Sequence, residues 1–245
     1  MPATWNRARI SQTIKRLFAP AILRFKHQLR KPPDAAHQES ELRSRLKAAP
    51  PVFIYQMGKV GSTSIYESLR RTYPGAVIHG HSFGPYDPNF SVRVLYDYYS
   101  AHRPQLRIIT LIREPVSRNI SAFFQNFKRD TGVTIEDCRW PISEIRQRFL
   151  DNYPHEVPLI WFDNNLHRHF GLNVYDYPFP AAGHLQIENT SAELLIMRHD
   201  LNDRLKQDLI ASFVGDAQFT LQSHNMASDK AYADLYNQFR QLKLP

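Results

Sequence analysis

A short apolar run, Val52 to Gln56, leads straight into the loop Gln56-Met57-Gly58-Lys59-Val60-Gly61-Ser62-Thr63-Ser64, and a helical pattern follows from Ser62 to Arg71. A strand, a loop with two glycines and a lysine, and a hydroxyl-rich helix start form a unit that few folds accommodate. The first backbone N–H groups of such a helix lack intrahelical partners and point outward. The helix dipole adds partial positive charge there, and Lys59 adds a full one. The loop is therefore expected to cradle an anion such as a phosphate or a sulfate ester. Its spacing departs from the nucleoside-triphosphate P-loop, in which Lys directly follows the second Gly; here Lys59 stands two residues before Gly61.

Strand and helix patterns then alternate. Ala76–His79 reads as a strand, Val92–Ala101 as a helix, and Arg107–Ile112 as a strand. Pro115–Phe127 reads as a helix with Val116, Ile120, Phe123, Phe124 and Phe127 on one face. Residues 141–170 read as mainly helical, 173–187 as irregular or hairpin-like, Leu194–Met197 as a strand, and the stretches near 201–213 and 229–241 as helices. Repeated β-α-β units predict an α/β fold with three α/β/α layers, a mainly parallel sheet, and the anion loop after its first core strand.

A second constellation runs Arg113-Glu114-Pro115-Val116-Ser117-Arg118-Asn119-Ile120-Ser121. Arg113 ends a strand, Pro115 suits a first helical turn, and Ser121 lies roughly 9 Å further along the axis. A long arginine side chain spans that gap. Ser117, Arg118 and Ser121 are expected on the polar side opposite the phenylalanines, with Arg113 and Ser121 converging on one phosphate. The strand ending at Ile112 delivers Arg113 rather than a metal-holding acid, so no metal is expected.

Charge narrows the partners. The chain of 245 residues has a formal charge of +8, but residues 1–33 hold eight Lys/Arg and no acid, while 34–245 carry 23 basic and 23 acidic side chains. A neutral domain with a basic arm weakens the case for nucleic acid. The division expected is an arm and linker over 1–48 and one domain over 49–245. Ile10, Ile14, Leu17, Phe18, Ile22, Phe25 and Leu29 recur at helical spacing among the basic residues. Residues 5–31 are thus a candidate for peripheral contact with an anionic membrane, or for a helix that packs on the domain. A single cysteine, Cys138, excludes an intrachain disulfide, and no run approaches the roughly 18 apolar residues of a spanning helix. A cytoplasmic protein, peripheral at the inner face of the membrane, is expected.

QMGKVGSTS followed by REPVSRNISAFF resembles the two donor-binding motifs of sulfotransferases that use 3′-phosphoadenosine 5′-phosphosulfate. The segments 173–179, 194–201 and 230–236 are similar to a bacterial subgroup described as putative capsular polysaccharide synthesis proteins. The resemblance implies that Gly58, Lys59, Val60, Gly61, Ser62, Thr63 and Ser64 hold the 5′-phosphosulfate, and that Arg113 and Ser121 hold the 3′-phosphate. It implies transfer of a sulfuryl group to a hydroxyl of a carbohydrate or polysaccharide acceptor, with Lys59 donating to the departing oxygen. His79 and His81 end the second strand as a base, a metal pair or polar caps. His81 is preferred as base because carbohydrate sulfotransferases often place one after this strand. Glu188 and Asp200 are runner-up acids, whereas His167, His169 and Cys138 are expected to carry no chemistry. Two alternatives remain: a nucleotide-dependent kinase, and a non-catalytic membrane-associated accessory protein of polysaccharide assembly.

Overall fold

The computed structural model describes residues 34–222 and 232–244, so the basic arm and its amphipathic pattern lie outside the described residues. Five strands, β1 (Val52–Tyr55), β2 (Val77–Gly80), β3 (Leu106–Ile112), β4 (His184–Glu188) and β5 (Ala192–Arg198), form one sheet in the order β2-β1-β3-β5-β4. All neighbours pair in parallel except β4, which returns antiparallel to β5 as an edge strand. The α/β class and mainly parallel sheet follow the sequence expectation. Of the stretch 173–187, read as irregular or hairpin-like, only the end is a strand, β4, and its hairpin with β5 closes beyond that stretch, where the Asn189 side chain accepts from the Ser191 and Ala192 N–H groups.

The nine helices used below are α1 (Ala35–Ala48), α2 (Thr63–Thr72), α3 (Phe90–His102), α4 (Pro115–Gln125), α5 (Phe127–Thr131), α6 (Ile142–Asn152), α7 (Val157–Phe162), α8 (Asp203–Val214) and α9 (Ala233–Arg240). The chain leaves α7 through a π-helical turn, Asp163–His167, into a last helical turn, Arg168–Phe170. The chain steps from β1 to β2 on one side, then returns past β1 to β3. Right-handed crossovers therefore put α2 and α3 on opposite faces of the sheet, which accounts for the fully buried β1 sequence Val-Phe-Ile-Tyr. Gly80 lets α3 approach closely, since a Cβ there would lie 2.8 Å from a Val92 methyl carbon. Among the described residues, no helix is long and apolar enough to cross a membrane.

Residues 35–48, grouped with the arm on composition, form α1. Its Leu46 is buried and its Arg45 guanidinium donates to the Tyr73 carbonyl at 3.1 Å. The helix has little apolar periodicity to reveal it; tertiary contacts hold it on the domain.

A second apolar cluster stands apart from the sheet. Ile120, Phe123, Phe124 and Phe127 from α4 and α5 pack against Ile145, Phe149 and Tyr153 around α6 and against Tyr236 and Phe239 of α9. Its rings meet largely edge-to-face, as between Phe123 and Phe149 with centroids 5.3 Å apart. The expected apolar face of the 115–127 helix is thus present, with two corrections. Val116 is 47% exposed, because it lies in the first turn beyond the reach of α6 and α9. The helix also breaks at Asn126, whose side chain donates to the Ala122 carbonyl at 2.9 Å, and α5 restarts there.

These positions predict opposite outcomes. Phe123→Ala should destabilise the fold by roughly 3–5 kcal/mol through transfer and cavity costs. Val116→Ala should stay within about 0.5 kcal/mol. Urea unfolding followed by circular dichroism measures both, and a large loss at Val116 would contradict the register given for α4.

Candidate functional site

Ligands of open α/β sheets sit beyond the carboxyl ends of the strands, where the strand order reverses; here that point lies between β1 and β3. A cavity of about 840 Å3 opens there. Gly58, Lys59, Gly61, Ser62 and Thr63 form one wall, His79 and His81 at the end of β2 a second, and residues of α4 and α5 a third. Lys59, Arg118 and Arg129 supply positive charge, and no carboxylate borders the cavity among the described residues. Such a lining favours an anion.

The loop reaches this position through unusual backbone. Gly58 (φ 82°) and Gly61 (φ 83°) lie in the left-handed region, as glycine allows, and so does Lys59 (φ 64°), for which it is unfavourable by roughly 1–2 kcal/mol. Two arginines hold the turn from behind. The Arg118 guanidinium donates to the Met57 carbonyl at 2.6 Å and to the Gly58 carbonyl at 3.2 Å, and Arg113 donates to the Lys59 carbonyl at 3.2 Å. With three successive carbonyls engaged, the loop cannot relax into an ordinary turn without breaking charged hydrogen bonds.

The Ser62 side chain does not cap α2; its Oγ lies 2.9 Å from His79 Nε2. The start of the helix borders the cavity through Ser62 and Thr63. Lys59 Nζ donates to the Gln125 side-chain oxygen across the cavity.

Arg118 lies on the side of α4 opposite the phenylalanines, as the sequence predicts; it is also buried, and it donates to the Asn119 side chain at 3.0 Å and to the Tyr153 hydroxyl at 3.1 Å. Burial pulls its pKa down and the Tyr153 contact works against that fall, while arginine retains its charge. A spacing signal was present: Arg118, Ala122, Gln125, Asn126 and Arg129 follow an i, i+4, i+7, i+8, i+11 stripe, and all five border the cavity. Arg129 is shared with Asp130, to which its Nε donates at 2.7 Å.

Neither Arg113 nor Ser121 borders the cavity; the Arg113 guanidinium donates to the Lys59 carbonyl and, at 3.4 Å, to the Tyr236 hydroxyl. Ser121 is half-buried on a flank of α4 turned from the Arg118 stripe. Val60 faces the core, so only its backbone is available, and Ser64 lies one residue beyond the cavity wall. Glu114 instead starts α4, its carboxylate accepting from the Val116 and Ser117 N–H groups at 2.8 and 2.7 Å.

Both histidines of β2 meet at the cavity, with ring centroids 5.3 Å apart. Between them lies the Gln56 side chain, whose Nε2 is 3.1 Å from His79 Nε2 and 3.2 Å from His81 Nδ1. Burial, with the neighbouring His81 adding to it, lowers the His79 pKa to about 4. Elsewhere, Asp200 is paired with Arg198 at 2.6 Å, Glu188 is exposed at the sheet edge, His167 is exposed and His169 packs on the Phe83 ring. Cys138 packs on the aromatic cluster. Among the described residues, no group of three or more His, Cys, Asp or Glu could hold a metal ion.

Comparison with protein-family models, with curated proteins and with solved structures returned no match to the chain.

The depressed His79 pKa gives a signed prediction. Between pH 6.5 and about 4 the unfolded chain binds a proton at this residue that the folded chain refuses, so stability falls as pH falls through that window. One such proton contributes a slope of about 1.4 kcal/mol per pH unit. Urea midpoints at several pH values should show a shallower acid loss in His79→Gln than in the wild type, and an unchanged slope would count against the buried neutral imidazole.

Proposed function

We propose that the protein is a sulfotransferase that moves a sulfuryl group from 3′-phosphoadenosine 5′-phosphosulfate to a hydroxyl of a carbohydrate acceptor. The observation that carries this reading is the cavity at the β1/β3 reversal, lined by residues of the anion loop and three cations, with no carboxylate among the described residues. Its volume of about 840 Å3 suits a nucleotide-sized ligand. A phosphoryl transferase working through a divalent cation would want a carboxylate within reach of the transferred group, which this lining does not offer. The resemblance of the 56–64 and 113–124 segments to donor-binding motifs supports the choice of donor. The carbohydrate class of acceptor, with a place in capsular or other surface polysaccharide synthesis, rests on the resemblance of the later segments alone. The same reading puts the enzyme in the cytoplasm, with residues 5–31 at the inner membrane face.

Sulfuryl transfer is an in-line displacement. The acceptor oxygen forms a bond to sulfur, the bond from sulfur to the 5′-phosphate oxygen breaks, and the electron pair of that bond stays on the phosphate, leaving adenosine 3′,5′-bisphosphate. Charge grows on the departing oxygen. The N–H groups at the start of α2 and the Lys59 ammonium, released from Gln125, are placed to meet it. The acceptor proton needs a base, and His81 borders the same cavity as Lys59. Arg113 and Arg118 serve by keeping the cradle in shape, which gives Arg113 a second role beside the 3′-phosphate contact that the motif implies.

Titration calorimetry without metal tests the donor. Adenosine 3′,5′-bisphosphate should bind at least tenfold more tightly than adenosine diphosphate, and equal affinities would remove the proposal. Lys59→Ala should lower turnover on the order of 10²–10³-fold if the ammonium acts as an oxyanion-hole donor. Arg113→Ala should weaken bisphosphate binding about tenfold or more through loss of a charged hydrogen bond of roughly 1.5–3 kcal/mol.

A further inference from the structure

We infer that Gln56 is a positioning residue that ties the anion loop to the histidine pair, closing the ring nitrogen of His79 and leaving His81 as the one open proton acceptor. The role given to His81 rests on the proposed transfer reaction; the hydrogen-bond arrangement does not.

The assignment follows from groups that can only donate or only accept. The Gly58 N–H donates to the Gln56 side chain, so the amide oxygen faces the loop and the amide NH2 faces the imidazoles. Gln56 Nε2, 3.1 Å from His79 Nε2, can then only donate to it, so that ring nitrogen carries a lone pair. Ser62 Oγ, 2.9 Å from the same nitrogen, donates to it as well. The His79 ring is also stacked on Tyr66 with centroids 5.5 Å apart, which holds the ring plane in place. The backbone carbonyl of Gln56 can only accept, so His81 Nδ1, 3.0 Å away, bears the proton, and Gln56 Nε2, 3.2 Å from the same nitrogen, makes no hydrogen bond to it. A neutral imidazole has one N–H, and the His81 lone pair therefore lies on Nε2. The neutral state of His79, held by burial and by the adjacent His81, agrees with this pattern.

Gln56 is 2% exposed, and its amide joins the Gly58 N–H to His79 Nε2, so it cannot turn without losing both bonds. A turned amide would aim NH2 at the Gly58 N–H and its oxygen at the His79 lone pair. One uncharged residue thus fixes the loop start and the tautomers together. Gly58 sits between the two charge systems: a Cβ there would lie 3.8 Å from the His81 ring and 3.9 Å from the Arg118 guanidinium.

Long-range proton–nitrogen NMR of the full chain at neutral pH, with no ligand present, reads the tautomers directly. His79 and His81 should both carry their proton on Nδ1. In Gln56→Glu, a carboxylate facing His79 should raise its pKa by more than one unit, into the range of about pH 5–8 where it can be followed, and should weaken adenosine 3′,5′-bisphosphate binding at least tenfold. In Gln56→Leu, His79 should show a mixed tautomer population; should that variant fail to fold, the wild-type spectrum and Gln56→Glu still decide. His79 protonated on Nε2 in the wild type, or no rise of its pKa in Gln56→Glu, would overturn the inference. Loss of the preference for the 3′-phosphate ligand would instead overturn the donor assignment and leave the tautomer spectra unaffected.

Discussion

Three carbonyls held by two arginines govern this site. The oxygens of Met57 and Gly58 accept from Arg118 and that of Lys59 from Arg113. A left-handed lysine costs roughly 1–2 kcal/mol, and each charge-assisted bond returns about 1.5–3 kcal/mol, so the clamp can sustain a loop that an isolated chain would abandon. Glycine at position 59 would relieve the strain but would remove the ammonium from the cavity. Strain at this position is thus the consequence of placing a cation where the backbone must turn.

The clamp works only because the sheet order makes β1 and β3 neighbours. The loop leaves β1, both arginines belong to the junction of β3 with α4, and the register pairs Ile54 with Ile109 close to that end. The aromatic cluster then fixes α4 in rotation. Phe123 and Phe124 are committed to α6 and α9, which leaves the Arg118 stripe no choice but the cavity. A cluster remote from the sheet thereby orients the cation that holds the loop, and packing and electrostatics on α4 are two faces of one constraint.

What was legible in the sequence was local or periodic. The strand-loop-helix unit, the alternation of β and α, and the phenylalanine face of α4 all depend on neighbours within a dozen residues. The polar-side placement of Arg118 was legible from the helical period, but its burial was not, because its partners include the carbonyls of a loop 60 residues earlier and the Tyr153 hydroxyl. The contact of the Arg113 guanidinium with the Lys59 carbonyl is equally remote in sequence. Helix α1 escaped notice for want of apolar residues. Gln56 looked like the last residue of a strand because its side-chain neighbours other than Gly58 are the histidines at the end of β2.

A site of this kind has to satisfy two opposed electrostatic demands a few ångströms apart. The anion cradle needs positive charge, and a proton acceptor has to stay neutral beside it. Lys59, Arg118 and Arg129 around the cavity answer the first demand. Which ring nitrogen of an imidazole stays open is decided separately. That decision requires directional groups. Here they are the amide and carbonyl of Gln56, which carry no net charge and so leave the potential of the cradle undisturbed. A carboxylate at position 56 could orient the same rings, but it would neutralise the loop it touches. The uncharged amide separates orientation from charge, which is why a glutamine suits this junction between loop and histidines.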